Sequence, residues 1–245
     1  MTMHLILAAA FLFLKTGEKF ATQETAGQTV AEFTKALGAY EPQVLNDPAK
    51  AVEFCNAKKP PVGIVTPGFY LTYGKALGME PILETRRQGV PAERYVVVVA
   101  KAAGDDLHGK TIATTLSKEE RYVTAVILAG KLGDEVRLKA VTDIEGAAFD
   151  LVEGTKGAAD AVLMEEGTWK VIAKDDELGP KLKAAFTGEE LPGALVVVFG
   201  PNVDKIDASK FKNADKRLLA SIRVEAFVDV DQERLKKAQA LFNAK

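Results

Sequence analysis

Apolar positions along the chain switch between two periods. Short continuous or alternating runs predict strands at roughly 4–14, 42–46, 62–65, 95–100, 111–115, 136–141 and 158–164, and LPGALVVVFG at 191–200 is expected to return the chain to its first half. Between them the spacing becomes helical. Val30, Phe33 and Leu37 share one face of a helix over 27–38, which Gly38 stops. Asp47 followed by Pro48 is a favourable helix start. TYGKALG predicts a short helix ended by Gly78. Ser117 and Glu120 have capping-box spacing and predict a helix to about Leu132. Further helical patterns cover 144–154, 207–220 and 229–243. Strands alternating with helices predict an α/β fold with mainly parallel sheets.

The most informative stretch is PVGIVTPGFYLTY, residues 61–73. A buried-strand pattern runs into Thr66-Pro67-Gly68, and Phe69, Tyr70 and Tyr73 follow. In open α/β sheets, ligands sit beyond the carboxyl ends of strands, so this loop is built to present side chains. LHGKTIATTLSKEERY (107–122) and GAADAVLMEEGTW (157–169) repeat the arrangement. Thr66, Phe69 and Tyr70 are therefore candidate ligand contacts, as are Thr114, Thr115, Ser117, Glu120 and Tyr122. Glu165 follows the third such strand, and Phe11 ends the first strand beside the small residues Ala8 to Ala10.

At 245 residues, 47% of them hydrophobic, the chain can build two small cores. A net charge of −2 supplies no basic face for nucleic acid. Cys55 is the one cysteine, so an intrachain disulfide is excluded, and it falls on the apolar side of a helix. His4 and His108 lie far apart without metal-like neighbours, and no cofactor is expected. HLILAAAFLFL is too short to span a bilayer and lacks a basic start, so it predicts a buried first strand. No dinucleotide fingerprint, phosphate-binding loop, nucleophile elbow or paired-histidine zinc motif is present.

VGIVTPGFY, the Tyr95 strand with LHGKTIAT, EGAAFDLVEGTKGAADAVLMEEGTW and LPGALVVVFG occur in an order that resembles type 2 periplasmic binding proteins. Within them it is similar to the phosphate/phosphonate-type solute-binding proteins of ABC transporters, over about residues 60–200. The resemblance implies two lobes, each a mostly parallel sheet flanked by helices, a hinge of two crossover segments and a ligand clamped between. On that reading 1–92 and 199–245 form lobe 1 and 93–198 form lobe 2. It also implies a monomeric periplasmic protein, its export signal not included in this sequence, with a small-molecule ligand and a membrane transporter as partners.

Two departures from the family pattern shape the ligand expectation. The family carries a Ser/Thr-rich loop at a helix N-terminus after the L-x-G-K-x-[IV]-A strand, a setting that suits an anion. Here the hydroxyls of Thr114, Thr115 and Ser117 remain, but Glu119 and Glu120 occupy the first turn and would repel phosphate. The family's Gly-x-His-x-x-Ala helix start is replaced by Ile144-Glu145-Gly146-Ala147-Ala148. The expectation is a non-enzymatic binding protein for a neutral or largely apolar ligand, lipid- or sterol-like with one polar group. The alternatives are a phosphonate-, phosphite- or phosphate-type anion, an enzyme on the same fold using Glu120, Glu165 or His108, and a sensory domain.

Overall fold

In the computed structural model the chain is described over residues 9–15, 23–38, 40–87, 90, 92–129, 136–200 and 206–244. His4 and the start of the expected first strand lie outside these residues. The chain divides into two units. The first is built from Met1–Lys15, Lys19–Gln88 and Ala194–Val230, and the second principally from Gly89–Gly193 and Asp231–Lys245.

The first unit opens with β1 (Ala9–Leu14), α1 (Gln23–Leu37), β2 (Tyr40–Leu45) and α2 (Pro48–Lys58). It continues through β3 (Val62–Val65), α3 (Pro67–Leu77) and β4 (Met79–Arg86). Asp47 caps α2 by accepting from the Ala49 and Lys50 N–H groups, as its position before Pro48 predicts. Gly78 ends α3 at φ 61°, a left-handed conformation that disfavours side chains. Gly63 has a different reason to be small. A Cβ there would lie 2.9 Å from the Leu12 carbonyl, so the β1–β3 contact depends on its absence.

The second unit holds β5 (Tyr95–Ala100), β6 (Thr111–Thr114), β7 (Arg137–Ala140), α4 (Ile144–Glu153), β8 (Ala161–Glu165), α5 (Glu166–Ile172) and β9 (Leu182–Thr187). The chain then completes the first unit with β10 (Leu195–Phe199), α6 (Ser209–Lys212), α7 (Lys216–Ser221) and β11 (Ala226–Asp229). It ends with α8 (Gln232–Asn243) in the second unit.

Both sheets are mixed rather than mostly parallel. The first has order β11-β4-β10-β3-β1-β2, the second β7-β6-β8-β5-β9. β10 runs antiparallel between β3 and β4, and β5 antiparallel between β8 and β9. The α/β class otherwise matches the expectation.

On one face of the first sheet, Phe11, Phe13, Val62, Ile64, Leu83 and Val196 share a core with Phe33 and Leu37 of α1, Phe211 of α6 and Leu218 of α7. Phe11 is fully buried, its ring 5.0 Å from Phe33 and 6.3 Å from Phe211. It therefore fills the core instead of lining space for an apolar ligand. In the second unit Val96, Val98, Val162 and Met164 meet Ala148 of α4 and Ile172 of α5.

Three helical expectations change. The segment after β6 is no regular α-helix: a 3-10 turn at Ser117–Glu119 leads into a π-helix at Tyr122–Ile127. The Leu128 N–H reaches back five residues to the Val123 carbonyl. Val123, Thr124, Val126 and Ile127 crowd a helix at their branched Cβ atoms and lower its propensity. No side chain caps the 3-10 turn, so the Ser117–Glu120 capping box does not form. The expected helix over 207–220 is two short ones, because Asp215 caps a fresh start through the Arg217 and Leu218 N–H groups. The final helix, expected with the first lobe, packs on the second unit. There the Arg121 guanidinium lies 4.4 Å over the Phe242 ring and donates to the Phe242 carbonyl at 3.0 Å. Lys237 pairs with Glu189 at 3.1 Å.

Truncating Phe11 to Ala should lower unfolding free energy by about 3–5 kcal/mol in urea titration. Cys55 is 5% exposed, and burial pushes its thiol up to about 12. The native thiol should resist an aromatic disulfide reagent at pH 8 until the chain unfolds. A raised thiol pKa also means that this group's stabilising contribution is complete below the unfolded value of roughly 8.5. It is lost as pH rises toward 12, so stability should fall across that window.

Candidate functional site

Each unit presents a strand end where the backbone turns into a helical segment. In the first, β3 ends at Val65 and Thr66 becomes the N-cap of α3, its hydroxyl oxygen accepting from the Phe69 N–H at 3.2 Å. Pro67 occupies the first helical position, where its missing N–H costs nothing. The expected loop of Phe69 and Tyr70 is thus the first turn of α3. Phe69 is 1% exposed and packs 5.0 Å from the Tyr73 ring, which makes it a core residue. Thr66 and Tyr70 remain half-buried. Phe11 pairs with Val62 at the opposite end of β3, four residues before Thr66 and so about 13 Å away along the strand.

The register adds a residue that the sequence reading missed. Leu195 of β10 faces both Val65 and Glu84, which places Glu84 of β4 at the same end of the sheet as Thr66. Glu84 is 3% exposed. A carboxylate between Leu83 and Thr85 looks like the solvent-facing position of an alternating strand, so nothing local signals its burial.

In the second unit β6 ends at Thr114. Its hydroxyl oxygen accepts from the Leu116 N–H at 3.1 Å and its carbonyl accepts from the Val141 N–H at 3.1 Å. Thr114 is 1% exposed, so it shapes the turn, while Thr115 and Ser117 are half-buried and Glu120 is exposed. Tyr122, expected as an accessible contact, is 2% exposed at the start of the π-helix. Its hydroxyl is buried without a hydrogen-bond partner. Burial first, then the charges of Glu93 and Glu119, holds this phenol well above its usual range.

β5 enters the sheet at this same end, because Tyr95 pairs with Glu165. The sequence reading missed what precedes it. Arg94 pairs with Glu190 at 2.8 Å and with Glu166 at 3.7 Å, and its Nε is buried without a hydrogen bond. Glu166 also meets Lys170 at 3.3 Å, so ion pairing accounts for it. The Tyr95 hydroxyl donates to Glu93 at 3.3 Å. Glu165 is half-buried as the N-cap of α5 and makes no side-chain capping bond. This end of the second sheet thus gathers Glu93, Arg94, Glu119, Tyr122, Glu165 and Glu166 beside Thr115 and Ser117. Its balance is acidic.

A recess of about 570 Å³ lies elsewhere in the second unit, along β7 and α4, lined by Lys139, Val141, Asp143, Gly146, Phe149 and neighbours. None of the ten expected contact residues lines it. Among the described residues no group of three or more His, Cys, Asp or Glu side chains could hold a metal ion. No described helix is long and apolar enough to cross a membrane.

No protein-family model matches this chain, and no curated protein does. Solved structures do. A Xanthomonas citri protein bound to ATP superposes with a TM-score of 0.68 at 14% identity, over 97% of this chain and 98% of that one. The binding-protein component of a Pseudomonas aeruginosa ABC phosphonate transporter gives 0.66 at 13% identity, over 96% and 86%. PhnD1 from Prochlorococcus marinus, in complex with methylphosphonate, gives 0.64 at 12% identity, over 96% and 97%.

The chain has the type 2 periplasmic binding protein fold. At these identities the likeness establishes architecture, and ligand chemistry must come from this chain's own residues.

Replacing Thr66 with Ala should remove the α3 cap and cost about 1 kcal/mol of unfolding free energy. Tyr122→Phe should leave the melting temperature unchanged or slightly raised, since it deletes a buried hydroxyl that has no partner. A marked drop in melting temperature would place a structural bond on that hydroxyl.

Proposed function

We propose that this chain is the solute-binding component of an ABC-type uptake system, acting in the periplasm, and that its ligand is a small organic oxyanion of the phosphonate class. The observation that carries this reading is the hydroxyl-bearing strand end of the second unit. Thr115 and Ser117 remain accessible there, while the Thr114 hydroxyl and carbonyl fix the turn. Hydroxyls and free N–H groups at a strand-to-helix turn suit a tetrahedral oxyanion. The matched fold includes proteins whose ligands carry phosphoryl or phosphonyl groups, which agrees with this class.

The lipid or sterol reading loses its support. The aromatics that favoured it, Phe11 and Phe69, are committed to cores. The electrostatic objection to an anion also changes form. The first turn after β6 is a three-residue 3-10 turn, Glu120 is exposed and Glu119 is buried. Two carboxylates therefore do not jointly occupy a helix N-terminus. The acidic surroundings favour an anion of low charge over the phosphate dianion. Of the residues named for an enzyme on this fold, Glu120 and His108 are exposed on the surface.

Isothermal titration of the full chain with methylphosphonate should show one-to-one binding with no turnover. Thr115→Ala and Ser117→Ala should each weaken it roughly two- to tenfold, the worth of one hydrogen bond, with unchanged melting temperature. Absence of binding by methylphosphonate, ethylphosphonate and phosphite alike would overturn the reading.

A further inference from the structure

We propose that Arg121 is the positioning residue of the oxyanion turn: clasped by the C-terminal helix α8, it holds Thr115 and Ser117 in place and acts through the turn rather than on the ligand. The proposal rests on the oxyanion reading, and all of its parts lie in the second unit.

The argument starts from one continuous helical rod. Ser117–Glu119 is a 3-10 turn, Glu120 and Arg121 have ordinary right-handed helical angles, and Tyr122–Ile127 is a π-helix. The turn that carries Thr115 and Ser117 is therefore the N-terminal end of this rod. A tilt of the rod moves both hydroxyls. By itself the rod is a weak fixture. No side chain caps its first turn. Its 3-10 and π stretches lack the regular bonding of an α-helix, and such irregular stretches often mark functional sites. The orientation of the turn must then be set by what the rod packs against.

Two supports set it. At the far end the Ile127 carbonyl rests on Gly188, where a Cβ would come within 2.9 Å of that oxygen. The Gly188 N–H donates to the Tyr95 carbonyl at 2.9 Å, which ties this brace to β5. In the middle of the rod, Arg121 reaches α8. Its guanidinium lies 4.4 Å over the Phe242 ring and donates to the carbonyl of the same residue. Phe242 is in the last turn of α8, where carbonyls lack partners within the helix and a positive charge complements the helix dipole. One side chain thus both caps α8 and stacks on it. α8 can carry this load because it is anchored independently. Leu235, Ala238 and Phe242 are buried, and Lys237 pairs with Glu189, the residue after the Gly188 brace. The contacts close into a ring that runs from the rod through Gly188, Glu189 and α8 back to Arg121. The sequence reading could not assemble it, because its members come from three distant segments.

The test uses the full chain with Arg121→Ala and, separately, Gly188→Ala. Amide hydrogen exchange is followed by NMR in the ligand-free protein, and each variant is titrated with methylphosphonate. The Leu116 N–H bonds to the Thr114 hydroxyl oxygen and the Glu119 N–H to the Leu116 carbonyl, so both report on the turn. In Arg121→Ala their exchange should rise at least about fivefold, while Ile112 and Val162 within the sheet exchange as before. Methylphosphonate affinity should fall roughly three- to tenfold. Gly188→Ala should reproduce both changes from the other end of the rod. Unchanged exchange at Leu116 and Glu119 in Arg121→Ala would overturn the proposal, whatever Gly188→Ala does. So would an equal rise at all four amides, which loss of overall stability alone produces. Unchanged affinity in an Arg121→Ala protein whose turn amides exchange faster would overturn the role in binding. If the wild-type chain binds no methylphosphonate, the oxyanion reading fails, and the exchange rates alone decide whether Arg121 positions the turn.

Discussion

Each sheet is organised around one antiparallel strand buried on both faces. In the first it is β10, whose five residues Leu195 to Phe199 are all buried. In the second it is β5, buried from Tyr95 to Val99. The chain enters both strands immediately after passing from one unit to the other. A run of valines can occupy such a position because both faces demand apolar side chains and branched Cβ atoms fit the pleat. Burying each valine contributes about 1.5 kcal/mol or more, and antiparallel pairing is slightly more stable per residue than parallel. The strand ends that bear on function follow from this insertion. β10 brings Leu195 beside both Val65 and Glu84, and β5 brings Tyr95 beside Glu165.

Chemistry at these ends depends on polar groups that local structure does not consume. The Thr66 and Thr114 hydroxyls are committed to the backbone N–H groups of Phe69 and Leu116, which stiffens the turns. Thr115 and Ser117 are left accessible on a fixed backbone. Arg94 is held between Glu166 and Glu190, so its charge is largely answered.

Much of the fold was legible because its signals are local. Asp47-Pro48, Gly38 and Gly78 mark helix ends through backbone chemistry that needs no distant partner. The valine run of β5 reads as a buried strand for the same reason. Its direction was not legible, since a buried run looks alike whichever way its neighbours point. The π-helix was hidden because Tyr122 to Ile127 carries an ordinary apolar pattern, and only the five-residue hydrogen bond distinguishes it. The place of α8 depends on Arg121 meeting Phe242, a contact across 121 residues. At the candidate site, Thr115 and Ser117 followed from the strand-end rule. Glu84, Glu93 and Arg94 did not, because their roles arise from register and burial. Phe11 and Phe69 misled because aromatics near a strand end can turn inward as readily as outward.

The central claim is that the hydroxyl-bearing strand end of the second unit holds an oxyanion. Amide chemical-shift mapping by NMR, with methylphosphonate titrated into the labelled full chain, tests it most directly. Saturable shifts are expected at Thr115, Leu116 and Ser117. Shifts confined to Val141, Gly146 and Phe149 along the α4 recess, or no saturable shift at all, would contradict it.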